Sequence, residues 1–135
     1  MSRAQCLVYR QKEILMVKHR HKGEEWWCLP GGRIEADETP EQAALRELWE
    51  ECCVQGAVIR RTSVVTFAPD DLYYTYLIEI GTQVVSLGSD PELKENQVLV
   101  DVAWICLNEL TERDRVFLWT AGLLTIPEFS GEICC

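Results

Sequence analysis

The segment TPEQAALRELWEEC, which starts at Thr39, constrains this chain more than any other. Thr39 is a good N-cap, Pro40 suits the first helical position, and Gln42, three residues after Thr39, completes a capping box. The pattern predicts a helix from Pro40 to about Cys52. Ala44, Leu45, Leu48, Trp49 and Cys52 supply the apolar surface expected to anchor the helix to the sheet. At 3.6 residues per turn, Glu47, Glu50 and Glu51 fall at i, i+3 and i+4, so three carboxylates share one face.

What flanks the helix is β-type. Residues 5–10 and 13–18 are short apolar runs split by Gln11 and Lys12, which predicts a hairpin. Residues 26–29 are a third short strand, stopped by Pro30, Gly31 and Gly32. After the helix, residues 57–67 and 72–80 are rich in Val, Ile, Thr and Tyr, with a turn at Ala68, Pro69, Asp70 and Asp71 between them. A polar segment, residues 88–96, leads into a strand over 98–107. Asn108 is expected to cap a second helix over about 109–124, and Pro127 and Gly131 mark an irregular tail. Strands with one helix after the third and another at the end predict an α/β sandwich of layers. At 135 residues the chain fits one domain over 1–135, with no internal repeat or linker.

A composition of 47% hydrophobic and 26% charged residues is that of a globular domain and excludes disorder. The formal net charge of −9 argues against a nucleic-acid polymer as partner, because phosphate contacts need a basic face. It is compatible with binding cations, which can in turn recruit a phosphate. The local exception is Lys18, His19, Arg20, His21 and Lys22, read either as a solvated hairpin turn or as a phosphate-attracting rim. No apolar run approaches the ~18–20 residues that span a bilayer, so no membrane role is expected. No charged leader followed by a long apolar region opens the sequence, so a cytoplasmic location follows by default. The seven cysteines include two adjacent pairs and no C-x-x-C spacing. They are expected to be reduced, with Cys6, Cys28 and Cys106 as small core residues and Cys134 and Cys135 as an oxidation liability.

The carboxylate face has two readings. In the first it is solvated, with Arg46 pairing Glu50 at i+4. In the second a cation sits among the three glutamates, beside Gly31 and Gly32, whose backbone approaches closely because glycine has no Cβ. An all-oxygen ligand set suits a hard ion, Mg²⁺ first and Mn²⁺ second, and such ions bind substrate phosphates. Phosphate chemistry follows from the second reading.

Residues 32–54 resemble the Nudix box, G-x5-E-x7-R-E-U-x-E-E-x-G-U with U aliphatic. Gly32, Glu38, Arg46, Glu47, Leu48, Glu50, Glu51 and Val54 stand at the required spacings. Cys53 replaces the family's glycine. It falls where a left-handed residue often closes a helix, at a cost of roughly 1 kcal/mol for a non-glycine residue, unless the helix runs on and Gly56 makes the turn. The W-x-L-P-G-G lead-in that begins at Trp27 and the order of strands are also similar to the family.

The resemblance implies a Nudix-type α/β/α sandwich with a mixed central sheet. It implies a hydrolase of phosphorus-containing anhydrides that cuts a nucleoside diphosphate linked to another moiety, such as ADP-ribose, a sugar nucleotide or a nucleoside triphosphate. By the same resemblance Glu47, Glu50 and Glu51 ligate the metal with the Gly31 carbonyl, Arg46 orients a ligating glutamate, and Glu38 holds the loop against the helix. The MutT-like branch adds a distal glutamate; Lys94, Glu95, Asn96 and Gln97 stand in the corresponding place, making Glu95 a candidate ligand or base. Arg20, Trp27 and Tyr74 are candidates for contact with a nucleotide-type substrate, from a set of aromatics that also includes Trp26, Phe67, Tyr73 and Tyr76. A homodimer is compatible with the sequence. The rival readings are a catalytically weak nucleotide-binding sensor and isopentenyl diphosphate isomerisation, the latter disfavoured by the chain's length.

Overall fold

A computed structural model describes residues 1–89 and 97–126. Eight strands are present among the described residues: β1 (Arg3–Leu7), β2 (Tyr9–Arg10), β3 (Glu13–His21), β4 (Glu24–Cys28), β5 (Gly31–Arg33), β6 (Ala57–Ala68), β7 (Asp71–Glu79) and β8 (Gln97–Ile105). Helix α1 (Pro40–Cys52) lies between β5 and β6, and helix α2 (Glu112–Thr120) follows β8. The strands divide into two sheets. One has the order β5-β1-β7-β6, with β1 and β7 parallel and the other pairs antiparallel. The second is built on β3, which pairs antiparallel with β2, β4 and β8. The architecture is the expected α/β sandwich with mixed pairing.

Side-chain alternation along the strands splits the interior in two. Ala4 and Cys6 of β1 and Tyr76 and Ile78 of β7 pack with Ala43, Ala44, Leu48 and Cys52 of α1. Leu7 and Leu77, one residue out of phase, join Ile14, Met16 and Leu118 of α2 in a second core. The sheets thus separate a core under α1 from a core under α2.

Helix α1 begins as its sequence predicts. The Thr39 hydroxyl accepts from the Gln42 N–H at 3.1 Å, and the Gln42 side chain accepts from the Thr39 N–H at 2.9 Å. It ends at Cys53, whose φ of 60° and ψ of 33° are left-handed and whose N–H donates to the Trp49 carbonyl. Cysteine therefore occupies the glycine conformation, and Gly56 is not the terminator. The buried face of the helix comprises Ala43, Ala44, Glu47, Leu48, Glu51 and Cys52, whereas Trp49 is exposed. Trp49 is thus no anchor, and the face that packs on the sheet carries two of the three carboxylates.

Three further expectations are corrected. Asn108 does not cap the last helix. Leu107 and Leu110 are both buried, and a 3₁₀ turn over Leu107–Glu109 brings this i, i+3 pair to one side. Thr111 then caps α2, its hydroxyl accepting from the Asp114 N–H at 3.2 Å. Residues 18–21 are strand and not turn, because pairing with β4 and β8 continues through His21. Cys106 is disulfide-bonded, so the cysteines are not all reduced; Cys6, Cys28, Cys52 and Cys53 are free. Glu95, Cys134 and Cys135 lie outside the described residues.

Candidate active site

The carboxylates of α1 meet the glycines of β5. The Gly31 N–H donates to Glu51 Oε1 at 3.1 Å. A Cβ on Gly32 would stand 2.5 Å from Glu47 Oε1 and 2.6 Å from its carboxyl carbon. Only glycine lets the strand edge come this close to a carboxylate. Gly31 is confined from the other side, where a Cβ would meet the Ala4 carbonyl oxygen at 2.5 Å.

Arg46 ties this cluster together. Its Nη1 donates to Glu47 Oε1 at 3.0 Å and to Glu50 Oε1 at 2.8 Å. Its Nε and Nη2 grip Glu38 at 2.7 and 3.0 Å, and Nη2 also donates to the Arg33 carbonyl at 2.9 Å. One guanidinium fork thereby joins the loop before α1 to the carboxylates on it. The hydrogen bonds from Arg46 hold the Glu38 carboxyl below its ordinary pKa. Glu47 and Glu51 are fully buried, and Glu50 is about four-fifths buried. The solvated-face reading is therefore ruled out for Glu47 and Glu51. The Arg46–Glu50 pair it invoked does form, within the buried network.

Three carboxylates on one helix face, two of them set against the glycines of β5, fit a hard divalent cation. The donor set is all oxygen, the burial of like charges is costly without sufficient countercharge, and glycine at 32 lets the Glu47 carboxylate sit directly against β5. The neighbouring thiols offer no competing chemistry. Cys6 donates from Sγ to the Ala44 carbonyl at 3.0 Å. Burial, followed by the charge of nearby groups, pushes the Cys6, Cys28 and Cys52 thiols far above their usual range. They stay protonated and are poor nucleophiles and poor ligands.

Gly31 and Gly32 also line a cleft of about 330 Å³ on the α2 side of the sheets. Its aromatic wall is Trp26, Trp27, Phe67, Tyr73 and Phe117, and its polar groups include Arg3, Gln5, Thr75, Gln97 and Asp114. Phe67 and Tyr73 pack edge to face at 4.5 Å, and Trp26 stacks on His19 at 5.8 Å. Trp27 lines the cleft, with the Lys18 ammonium 4.9 Å from its ring centre.

Two of the three substrate candidates lie elsewhere. Tyr74 is replaced in the cleft by Tyr73, because alternation along β7 turns Tyr74 toward the α1 core. Arg20 lies outside the lining, and its guanidinium is bound to Glu25 at 2.6 and 2.7 Å. Lys18 approaches the same Glu25 at 3.5 Å, so the basic run is partly neutralised by the facing strand, which weakens its reading as a phosphate-attracting rim. Arg3, Asp114 and Phe117 escaped the sequence reading. The signal for Asp114 was present: Thr111, Glu112, Arg113 and Asp114 form an [ST]-x-x-[DE] helix start.

Comparison with known proteins agrees with this geometry. The family model described as NUDIX domain matches residues 1–124. A mouse relative, diphosphoinositol polyphosphate phosphohydrolase 3-alpha, is 36% identical over 101 residues, covering 67% of this chain and 61% of the relative. Phosphatase NudJ of Escherichia coli K12 is 46% identical over 46 residues, 34% of this chain and 30% of NudJ. The chain thus spans less than two thirds of the length of either relative. Among solved structures, the NUDIX domain of Shewanella oneidensis NrtR, complexed with ADP ribose, superposes with a TM-score of 0.65 at 21% identity, over 90% of this chain and 85% of that one. Box, fold and family match coincide, and the chain belongs to the Nudix hydrolase family.

Proposed function

We propose that this chain is a Mg²⁺-dependent pyrophosphohydrolase that cleaves a nucleoside diphosphate linked to another moiety. The observation that carries the reading is the double placement of Gly31 and Gly32. They border the Glu47, Glu50 and Glu51 cluster on one side and an aromatic cleft on the other. A diphosphate lying across this edge would have its anhydride at the carboxylates and its base in the cleft.

Glu47, Glu50 and Glu51, with the Gly31 carbonyl, would hold Mg²⁺ or Mn²⁺. A bound divalent ion would supply charge neutralisation for the diphosphate and a lowered pKa for water. The chain's own residues do the rest. Arg46 fixes the rotamers of Glu47 and Glu50, and Glu38 fixes Arg46 through two bonds. A glutamate takes the proton from water as it attacks phosphorus in line. Glu95 is the candidate for that role or for a further ligand.

The mouse relative's name raises diphosphoinositol polyphosphates as substrates. An inositol carrying many phosphates needs several cations, whereas this cleft, among the described residues, has five aromatic walls and Arg3 as the guanidinium or ammonium group in its lining. The ADP ribose bound by NrtR is the better chemical match. No described helix is long and apolar enough to cross a membrane.

The test is a panel of ADP-ribose, sugar nucleotides, nucleoside triphosphates and diphosphoinositol phosphates, each with Mg²⁺ and with Mn²⁺. Release of a nucleoside monophosphate from at least one nucleotide, abolished by EDTA, is expected. Inactivity on every nucleotide with both metals, alongside tight nucleotide binding, would establish the sensor reading instead.

A further inference from the structure

Two of the three clustered carboxylates sit where a helix is weakest. Glu50 and Glu51 belong to the last turn of α1, which ends at Cys52. The last four carbonyls of a helix have no partner within it, so such a turn frays unless donors outside the helix bind it. Here all four are bound by backbone N–H groups. Cys53 donates to the Trp49 carbonyl at 3.0 Å, Ser89 to Glu50 at 2.8 Å, Gly88 to Glu51 at 2.9 Å and Ser86 to Cys52 at 3.1 Å. Three of these four donors come from one segment after β7, which crosses the end of the helix.

Gly88 makes this approach possible. A Cβ there would overlap the Glu50 carbonyl oxygen and stand 2.9 Å from its carbonyl carbon, backbone atoms that no rotamer change can clear. Its φ is not left-handed, so the demand for glycine comes from the close approach alone. The segment is anchored independently at its other end. The Gln83 side chain accepts from the Gln55 N–H at 3.1 Å and donates to the Gln55 and Ile80 carbonyls at 2.6 and 2.7 Å. Arg10 Nη2 donates to the Gly81 and Gln83 carbonyls at 2.9 and 3.1 Å.

We propose that Gly88 is a positioning residue of the metal site, and that residues 83–89 hold Glu50 and Glu51 by locking the last turn of α1. This rests on the metal reading above and adds the element that keeps two of its ligands in place. A helix end in water has its carbonyls solvated at little cost, so protein donors are not needed merely to satisfy them. Metal ligands, in contrast, must be held to within about 0.5 Å of their working geometry. Arg46 fixes the Glu50 carboxylate at its tip. The segment fixes the backbone from which Glu50 and Glu51 extend.

The experiment combines amide hydrogen exchange in EDTA with Mn²⁺ binding, read from the paramagnetic resonance of the free ion. It is run on the wild-type protein, Gly88→Ala and Gln83→Ala. In Gly88→Ala the amides of residues 50–53 are expected to exchange at least about tenfold faster, while those of residues 45–48 keep their wild-type rates. Mn²⁺ affinity should fall about tenfold, the lower end of what losing an outer support of a metal ligand costs. Gln83→Ala loosens the segment without a clash, and both effects should be about threefold, the scale of a single lost hydrogen bond. A merely structural role would speed exchange throughout the helix and leave Mn²⁺ affinity of the folded protein unchanged. Wild-type Mn²⁺ affinity in a folded Gly88→Ala variant would therefore overturn the proposal, leaving the segment a cap. Should Gly88→Ala not fold, wild-type exchange and affinity in Gln83→Ala would overturn it. Absence of Mn²⁺ binding by the wild-type protein would remove the metal reading itself, and this inference with it.

Discussion

Arg46 donates twice to Glu38, from Nε at 2.7 Å and from Nη2 at 3.0 Å, across eight residues of sequence. The paired geometry needs a planar fork, which lysine lacks. Arg46→Lys should therefore lower kcat and metal affinity by about 10–100-fold, the usual effect of losing a residue that orients ligands. Steady-state kinetics with a Mg²⁺ titration checks this. Unchanged metal affinity and kcat would show that the fork holds only the loop.

Glu51 is fully buried, as is Glu47, so its charge serves function at a cost to the metal-free fold. Glu51→Gln keeps an oxygen for the Gly31 N–H and removes that charge. We expect turnover to drop at least ~100-fold while the melting temperature in EDTA rises. Glu50→Gln should lose similar activity, with a smaller gain in stability because Glu50 is partly exposed. Full turnover in both variants, on a substrate the wild-type protein cleaves, would end the metal-site assignment.

The adjacent glycines should fail in different ways. In Gly31→Ala the methyl meets the backbone of Ala4 and Gln5, which cannot step aside, so a loss of about 1–3 kcal/mol is expected in denaturant melts. In Gly32→Ala the methyl meets the Glu47 carboxylate, a side chain that can swing away. Stability should then change little while turnover falls about 100-fold, the scale expected for a catalytic group displaced by about 1 Å. Melts and kinetics on the two variants together separate fold from site.

Cys53 holds a left-handed conformation with φ of 60° and is exposed. Cys53→Gly should be neutral or stabilising by up to about 1 kcal/mol. Among the four free cysteines, Cys53 should also alkylate first in the native protein, since Cys6 and Cys52 are buried, Cys28 is half-buried, and desolvation keeps all three protonated. Peptide mapping after brief iodoacetamide treatment reads the order directly; early labelling of Cys52 would contradict it.

Helix α1 was legible in the sequence from its capping box to about Cys52, because caps and periodicity are local, whereas the sequence alone left Cys53 and Gly56 as alternatives for the closing residue. The carboxylate grouping was legible for the same reason. Their burial was not, since i, i+3, i+4 spacing tells which residues share a face and not which way the face turns. Trp49 and Leu48 differ by one position, and only packing against β1 and β7 decides that Leu48 goes in and Trp49 stays out. Tyr73 and Tyr74 pose the same problem in a strand, where one residue of register reverses every assignment. Arg20 was misjudged because its partner, Glu25, faces it across a hairpin whose turn was placed too early.

The alternation of β1 and β7 has a consequence for how such a protein diversifies. In both strands, even-numbered residues (Ala4, Cys6, Tyr74, Tyr76) support the helix that bears the carboxylates, and odd-numbered ones (Arg3, Gln5, Tyr73, Thr75) face the cleft. Mutation at these four cleft-facing positions can therefore explore new ligands without disturbing the foundations of the hydrolytic apparatus. Heredity can tinker with what is recognised while leaving intact how it is cut, and the two traits are free to drift at separate rates along a single stretch of backbone.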